Sequence, residues 1–172
     1  SSPEPAPTES PAAVRARCEQ LVTAAELYAT LEAQGLQYGE GFRGVEQIWR
    51  REGEAIGLIH RSATLVTAGS DDVIHPALLD ACLQVMAAAI PREGRGGAQD
   101  DTYLPAGVAS VCMPGQTVGG CWSHVRLAAG RTSENELVAD LDVFDEAGQL
   151  VGRLHGLRLQ RVDSAREAPA WP

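Results

Sequence analysis

His75-Pro76-Ala77-Leu78-Leu79-Asp80-Ala81-Cys82-Leu83-Gln84-Val85-Met86-Ala87-Ala88-Ala89-Ile90 is the stretch on which the fold turns. It reads as one helix. Pro76 suits the first helical position, where its missing N–H removes no hydrogen bond, and Pro91 stops the helix after Ile90. Leu78, Leu79, Cys82, Leu83, Met86 and Ile90 recur at helical spacing, and alanines fill much of the remaining circumference. A helix this apolar on nearly every side is buried on most of them. It is therefore the centre of the domain, and the rest of the chain must wrap it.

The flanking sequence supplies the wrapping. Val45 to Arg51 and Glu54 to His60 read as two strands joined by a Glu52-Gly53 hairpin turn, with Val45, Gln47 and Trp49 sharing one face. Beyond a glycine-rich loop over residues 91–101, four more strands are expected: Tyr103 to Cys112, Cys121 to Ala129, Glu136 to Phe144 and Gln149 to Arg161. Asp145-Glu146-Ala147-Gly148 turns the last two back on each other, and the final strand alternates Leu150, Gly152, Leu154 and Gly156 against Val151, Arg153 and His155. Thr23-Ala24-Ala25-Glu26 fits a capping box. A second helix should follow to about Gln34, with Leu27, Tyr28 and Leu31 facing one side and Gly35 ending it. One buried helix with several hairpin-linked strands implies an α+β domain, an antiparallel sheet wrapped around a long central helix.

Residues 1–13 and 163–172 are rich in Pro, Ser, Ala and Glu and offer little to bury, so they read as linker and tail around a folded unit at 14–162. Such a layout is expected of a segment from a longer polypeptide. The start lacks the basic stretch and apolar core of a signal peptide. No apolar run reaches the length of a membrane span, so a cytoplasmic location is expected. The net charge of −9 argues against nucleic acid as a partner. Cys18, Cys82, Cys112 and Cys121 form no C-x-x-C pair and no zinc spacing, and read as reduced thiols in or near the core. Gly94 to Gly97 lacks the residues of a phosphate loop, and the acidic pairs Asp71-Asp72 and Asp100-Asp101 read as solvated. Trp49 and Trp122 read as core residues and Trp171 as exposed; His60, His124 and His155 read as structural or solvent-facing. No metal site is expected.

Asp80 and Gln84 are the only polar side chains between Leu78 and Ile90, and their i, i+4 spacing makes them neighbours on one helix face. A carboxylate on a buried apolar helix is costly unless paired or protonated. Burial favours the protonated form, the state a general acid needs. Placement early in the helix, where the dipole favours a negative charge, explains Asp80 equally well from spacing alone.

His75 to Gln84 resembles the aspartate-bearing helix motif of polyketide synthase dehydratases. Gly35-Leu36-Gln37-Tyr38-Gly39-Glu40-Gly41-Phe42 is similar to that family's glycine–tyrosine–glycine–proline–phenylalanine loop, and Tyr103-Leu104-Pro105-Ala106-Gly107-Val108 to its leucine–proline motif. Leu27-Tyr28 and Gly156-Leu157-Arg158-Leu159 fit as well, in order, from about Val14 to Val162. The resemblance implies a hot-dog fold, one half of a double hot-dog, here the C-terminal half. Such enzymes remove water from a β-hydroxyacyl chain carried as a phosphopantetheine thioester on an acyl carrier protein. The resemblance makes Asp80 the general acid and Gln84 its hydrogen-bonding neighbour. Tyr38, Gly39, Phe42, Leu104 and Pro105 then lie along the substrate tunnel, and His75 and Pro76 serve the helix start. The histidine base of the first half, with glycine four residues on and then proline five further on, is absent, and Glu40 stands where the family usually has proline. The expected partners are an acyl carrier protein, an N-terminal half and, when the chain is alone, a second copy of itself; no cofactor is needed. The same site type also supports double-bond isomerisation or oxygen-ring closure, and a non-catalytic structural domain of a megasynthase is the reading from another class.

Overall fold

The computed structural model describes residues 9–33, 35–39, 42–60, 76–90, 101–112, 119–128 and 135–163. Four helical segments are α1 (Pro11–Arg17), α2 (Ala24–Ala33), α3 (Pro76–Gln84) and α4 (Met86–Ala89). Seven strands are β1 (Gln20–Thr23), β2 (Val45–Arg51), β3 (Glu54–Ile59), β4 (Asp101–Cys112), β5 (Cys121–Leu127), β6 (Glu136–Asp145) and β7 (Leu150–Asp163). They form one sheet in the order β1-β2-β3-β5-β6-β7-β4, with every pairing antiparallel. One face of the sheet packs on α2, α3 and α4 through Leu27, Leu31, Ile48, Ile59, Leu78, Val85, Val125, Leu141 and Leu157. This is the α+β hot-dog arrangement, a sheet around a central helix. Among the described residues, no helix is long and apolar enough to cross a membrane.

The central helix is not continuous to Ile90. It breaks at Val85, where the Ala88 N–H bonds the Val85 carbonyl at 3.1 Å in a tight i→i+3 turn. Val85 is fully buried against β3. Gly57 makes room for it, since a Cβ there would stand 2.5 Å from Val85 Cγ2. The carbonyls at the end of α4 are not left orphaned. Arg50 Nε donates to Ala88 O at 2.6 Å, and Gly53 N to Ala89 O at 3.2 Å.

Bulges in β2 and β7, among the register irregularities of the sheet, reset the faces that strict alternation would give. A register shift between Val45 and Gln47 puts Val45 on the helix face with Ile48 and Arg50, and leaves Trp49 on the opposite face. Val45 and Trp49 therefore do not share a face as the simple pattern expects. In β7 the extra residue falls at His155-Gly156 opposite Asp140, where Gly156 adopts φ +64°, so that Leu157 and Leu159 rejoin Leu154 in the core.

The outer face of the sheet carries α1, which begins at Pro11, inside the stretch read as linker. Ser10 caps it by accepting from Ala13 N at 3.3 Å. Val14 and Cys18 are buried with Ile56, and Trp49 and Trp122 pack against them with centroids 5.8 Å apart. The Arg15 guanidinium lies 4.3 Å from the Trp49 ring centre. The capping box at α2 is present: Thr23 N donates to Glu26 Oε2 at 2.9 Å, and Glu26 N to Thr23 Oγ1 at 3.2 Å. Gly35, at φ +85°, ends that helix. Cys18, Cys82 and Cys121 are buried free thiols, and Cys112 is an exposed one.

Candidate active site

Helix α3 buries Ala77, Leu78, Ala81 and Cys82, and leaves Asp80 half-buried beside a buried Gln84. Asp80 is thus less enclosed than an all-apolar helix suggests. One turn apart, the two side chains meet: Gln84 Nε2 donates to Asp80 Oδ2 at 2.9 Å. The same nitrogen donates to the Phe42 carbonyl at 2.9 Å. Gln84 Oε1 accepts from the Tyr28 hydroxyl at 2.8 Å, and that hydroxyl accepts from Val45 N–H at 3.1 Å. A carbonyl can only accept and a backbone N–H can only donate. The two ends therefore fix the orientation of the amide, and every polar atom of Gln84 is used.

Tyr28, on α2, meets Tyr38 edge to face, with centroids 6.2 Å apart and planes at 64°. Burial raises the pKa of both phenols, and the nearby Asp80 carboxyl raises both further, so both remain protonated donors at neutral pH. Arg43 Nε donates to the Tyr38 carbonyl at 2.9 Å, while its guanidinium lies 5.3 Å from the Tyr28 ring centre. Tyr28, Glu32, Leu36, Gln37, Tyr38, Gly39 and Arg43 line an open groove of about 410 Å³.

The residues singled out in the sequence divide accordingly. Asp80, Gln84 and the Phe42 backbone are joined directly, while Phe42 as a residue is 49% exposed. Tyr38 and Gly39 line the groove. Pro76 is the first residue of α3. His75 and Glu40 lie outside the described residues. Leu104 and Pro105 are exposed on β4, the edge strand at the far end of the sheet from β1, and α3 rests instead on β2, β3 and β5. Tyr28 is the site residue that sequence reasoning missed. It reads there as an apolar-facing helix position, and the one signal is a hydroxyl on a side chain expected to be buried.

A second polar cluster occupies the outer face. Glu54 is 4% exposed and holds Arg17, Arg51 Nε at 2.5 Å and His124 Nε2 at 2.7 Å. Burial pushes its carboxyl up, but hydrogen bonds from Arg17, His124 and Arg51 outweigh that and hold its pKa at about 2. Burial pushes the His124 pKa down. Neutral His124 then donates from Nε2 to Glu54, and its Nδ1 is buried with no partner among the described residues. Next to it, Asp142 accepts from Arg153 Nε at 2.7 Å and Arg126 Nη2 at 3.0 Å. Among the described residues, no group of three or more His, Cys, Asp or Glu side chains is arranged to hold a metal ion.

A family model described as the polyketide synthase dehydratase N-terminal domain matches residues 6–169. The dehydratase domain from the CurJ module of the curacin polyketide synthase superposes with a TM-score of 0.78 at 26% identity, over 92% of this chain and 55% of that one. The CurF dehydratase gives 0.75 at 29% identity, over 92% and 55%. In the CurK dehydratase, a histidine-to-phenylalanine variant and an aspartate-to-asparagine variant are both described as inactive. Among curated relatives, polyketide synthase PksM of Bacillus subtilis is 26% identical over 149 residues, 86% of this chain and 4% of its own length. GfsE of Streptomyces halstedii is 33% identical over 139 residues, 80% of this chain and 3% of its own. The chain thus spans about half of the solved dehydratase domains and a few per cent of the synthases.

Proposed function

We propose that this chain, which belongs to the polyketide synthase dehydratase family, is the acid-bearing C-terminal half of a double hot-dog dehydratase. One observation carries the reading. On a helix that is otherwise apolar, Asp80 has Oδ2 held by Gln84, while among the described residues nothing occupies Oδ1. The substrate is a β-hydroxyacyl thioester on the phosphopantetheine arm of an acyl carrier protein. A histidine from the other half removes the α-hydrogen, and its electron pair forms the α,β double bond. The β C–O bond breaks, and Asp80 gives its proton to the departing hydroxyl, releasing water and an α,β-unsaturated thioester. An acid and a base suffice for this elimination, so no cofactor is invoked.

The assignment to the second half rests on the aspartate-bearing helix and on the absence of the histidine–glycine–proline pattern, although the matching family model takes its name from the N-terminal domain. Tyr38 and Gly39, on the groove, would guide the acyl chain on this half. Leu104 and Pro105 would do so where β4 meets the partner half.

Mass-spectrometric detection of dehydration on a β-hydroxyacyl thioester tests the proposal. Water should be lost only when the histidine half is joined to this chain, and Asp80→Asn should lower the rate by at least about a hundredfold. Full turnover with Asp80→Asn would overturn it.

A further inference from the structure

We infer that Tyr28 is a positioning residue for Asp80, acting through Gln84, and that this relay assigns the transferable proton to Asp80 Oδ1. The inference rests on the reading of Asp80 as the acid and deepens it. Tyr28 lies 52 positions before Asp80 in a different helix and does not touch it; the coupling runs through hydrogen bonds alone. The direction of each bond is forced. Val45 N–H donates to the Tyr28 oxygen, so the hydroxyl proton turns to Gln84 Oε1. With its oxygen so held, the Gln84 amide can aim only N–H groups at the Phe42 carbonyl and at Asp80.

Two consequences follow for Asp80. Its Oδ2 always faces a donor that has no lone pair to receive a proton, so Oδ2 serves as the acceptor oxygen. A neutral carboxyl then keeps its carbonyl-like oxygen at Oδ2 and carries the proton on Oδ1, the oxygen with no partner among the described residues. The acid is thereby held in one rotamer with one defined delivering oxygen, which is the geometric condition for proton transfer. Gln84 is 4% exposed and Tyr28 8%, so water does not readily replace either partner. Removing the hydroxyl leaves Val45 N–H and Gln84 Oε1 unpaired in a buried site and frees the amide to rotate.

Kinetics on the two-half protein, with Tyr28→Phe, Gln84→Leu, the double variant and Asp80→Asn, test the relay. Tyr28→Phe keeps the ring and its contact with Tyr38. It should lower kcat about tenfold with KM changed less than about twofold, and in the Gln84→Leu background it should cost nothing further. Independent, multiplicative losses, or an unchanged kcat for Tyr28→Phe, would overturn the relay while leaving the dehydratase reading intact. Full activity of Asp80→Asn would instead sink the dehydratase reading. A second readout needs no turnover: the two side-chain amide protons of Gln84, resolved by NMR in this chain, should shift and exchange faster with solvent in Tyr28→Phe. Unmoved resonances would refute the relay whatever the activity.

Discussion

Gly57→Ala probes the seat of the broken central helix. The new methyl would stand 2.5 Å from Val85 Cγ2, 3.4 Å from Val85 Cγ1 and 3.5 Å from Ile48 Cγ1, all side chains in the closed core. Overpacking of a full core costs about 1–3 kcal/mol. Replacing a strand glycine recovers roughly 0.5–1 kcal/mol from the unfolded chain. The net expectation is a loss of about 1–2 kcal/mol, or roughly 2–8 °C in Tm for a chain of this size. Val85→Ala alone should lose about 1–3 kcal/mol through the cavity it opens. Combined, the new methyl occupies that cavity, so the double variant should be more stable than the sum of the single losses by at least about 1 kcal/mol. Urea unfolding of the four proteins, followed by circular dichroism, measures the cycle. A Gly57→Ala protein as stable as the parent, or an additive cycle, would refute the claim that Gly57 exists to admit Val85.

Two further outcomes are expected of the chain alone. The carboxyl of Glu54 is held at about 2 in the fold against an ordinary 4.5. A depressed acid stabilises above its unfolded pKa, so this contribution is whole above 4.5 and is lost as pH falls through about 2. His124, with its pKa lowered by burial from 6.5, acts in the same direction below that pH. Glu54→Gln should lower stability at neutral pH by roughly 2–3 kcal/mol and flatten the decline below 4.5, read from urea midpoints across pH; a variant with the parent's slope would contradict this. Strand β4 ends the sheet with Leu104, Val108 and Val111 exposed, Val111 by 53%. Such an edge seeks a partner, so light scattering should find self-association that Val108→Lys weakens, and a strictly monomeric parent at high concentration would count against it.

The sequence carries most of the sheet because β-rich runs are set off by hairpin turns; β2 runs from Val45 to Arg51 as its pattern predicts, although a bulge interrupts its alternation. It hides what is short or tertiary. Helix α1 buries only Pro11 and Val14 of its seven residues, too few to stand out from proline-rich surroundings. The break at Val85 is invisible because valine fits the apolar period on both sides of it. Gly156 within a strand pattern is a readable bulge signal, whereas the bulge in β2 has no glycine to mark it. At the site, the i, i+4 pairing of Asp80 with Gln84 is legible from spacing, because a helix alone determines it. Tyr28 is not, since its hydroxyl finds Gln84 across 56 residues, and the Glu54–His124 pair spans 70.

The surroundings of Glu54 and Asp80 differ in the way that the role proposed for Asp80 requires. Both oxygens of Glu54 are taken: Arg17 and His124 Nε2 reach Oε1, and Arg51 Nε reaches Oε2. Its depressed pKa leaves no proton to give. Asp80 has one oxygen held and the other open among the described residues. The histidines answer the complementary question. His124 spends Nε2 on Glu54, buries Nδ1, and projects from the outer face of β5, while its neighbour Ser123 bonds the Cys82 carbonyl of α3 at 3.0 Å from the other. His60 pairs with Glu46, and His155 with Asp140 on the strands β6 and β7. Among the described residues, then, each histidine has a carboxylate of its own and none stands beside Asp80. The proposed elimination at Asp80 therefore needs a base from outside the described residues, which the proposed second hot-dog half would supply.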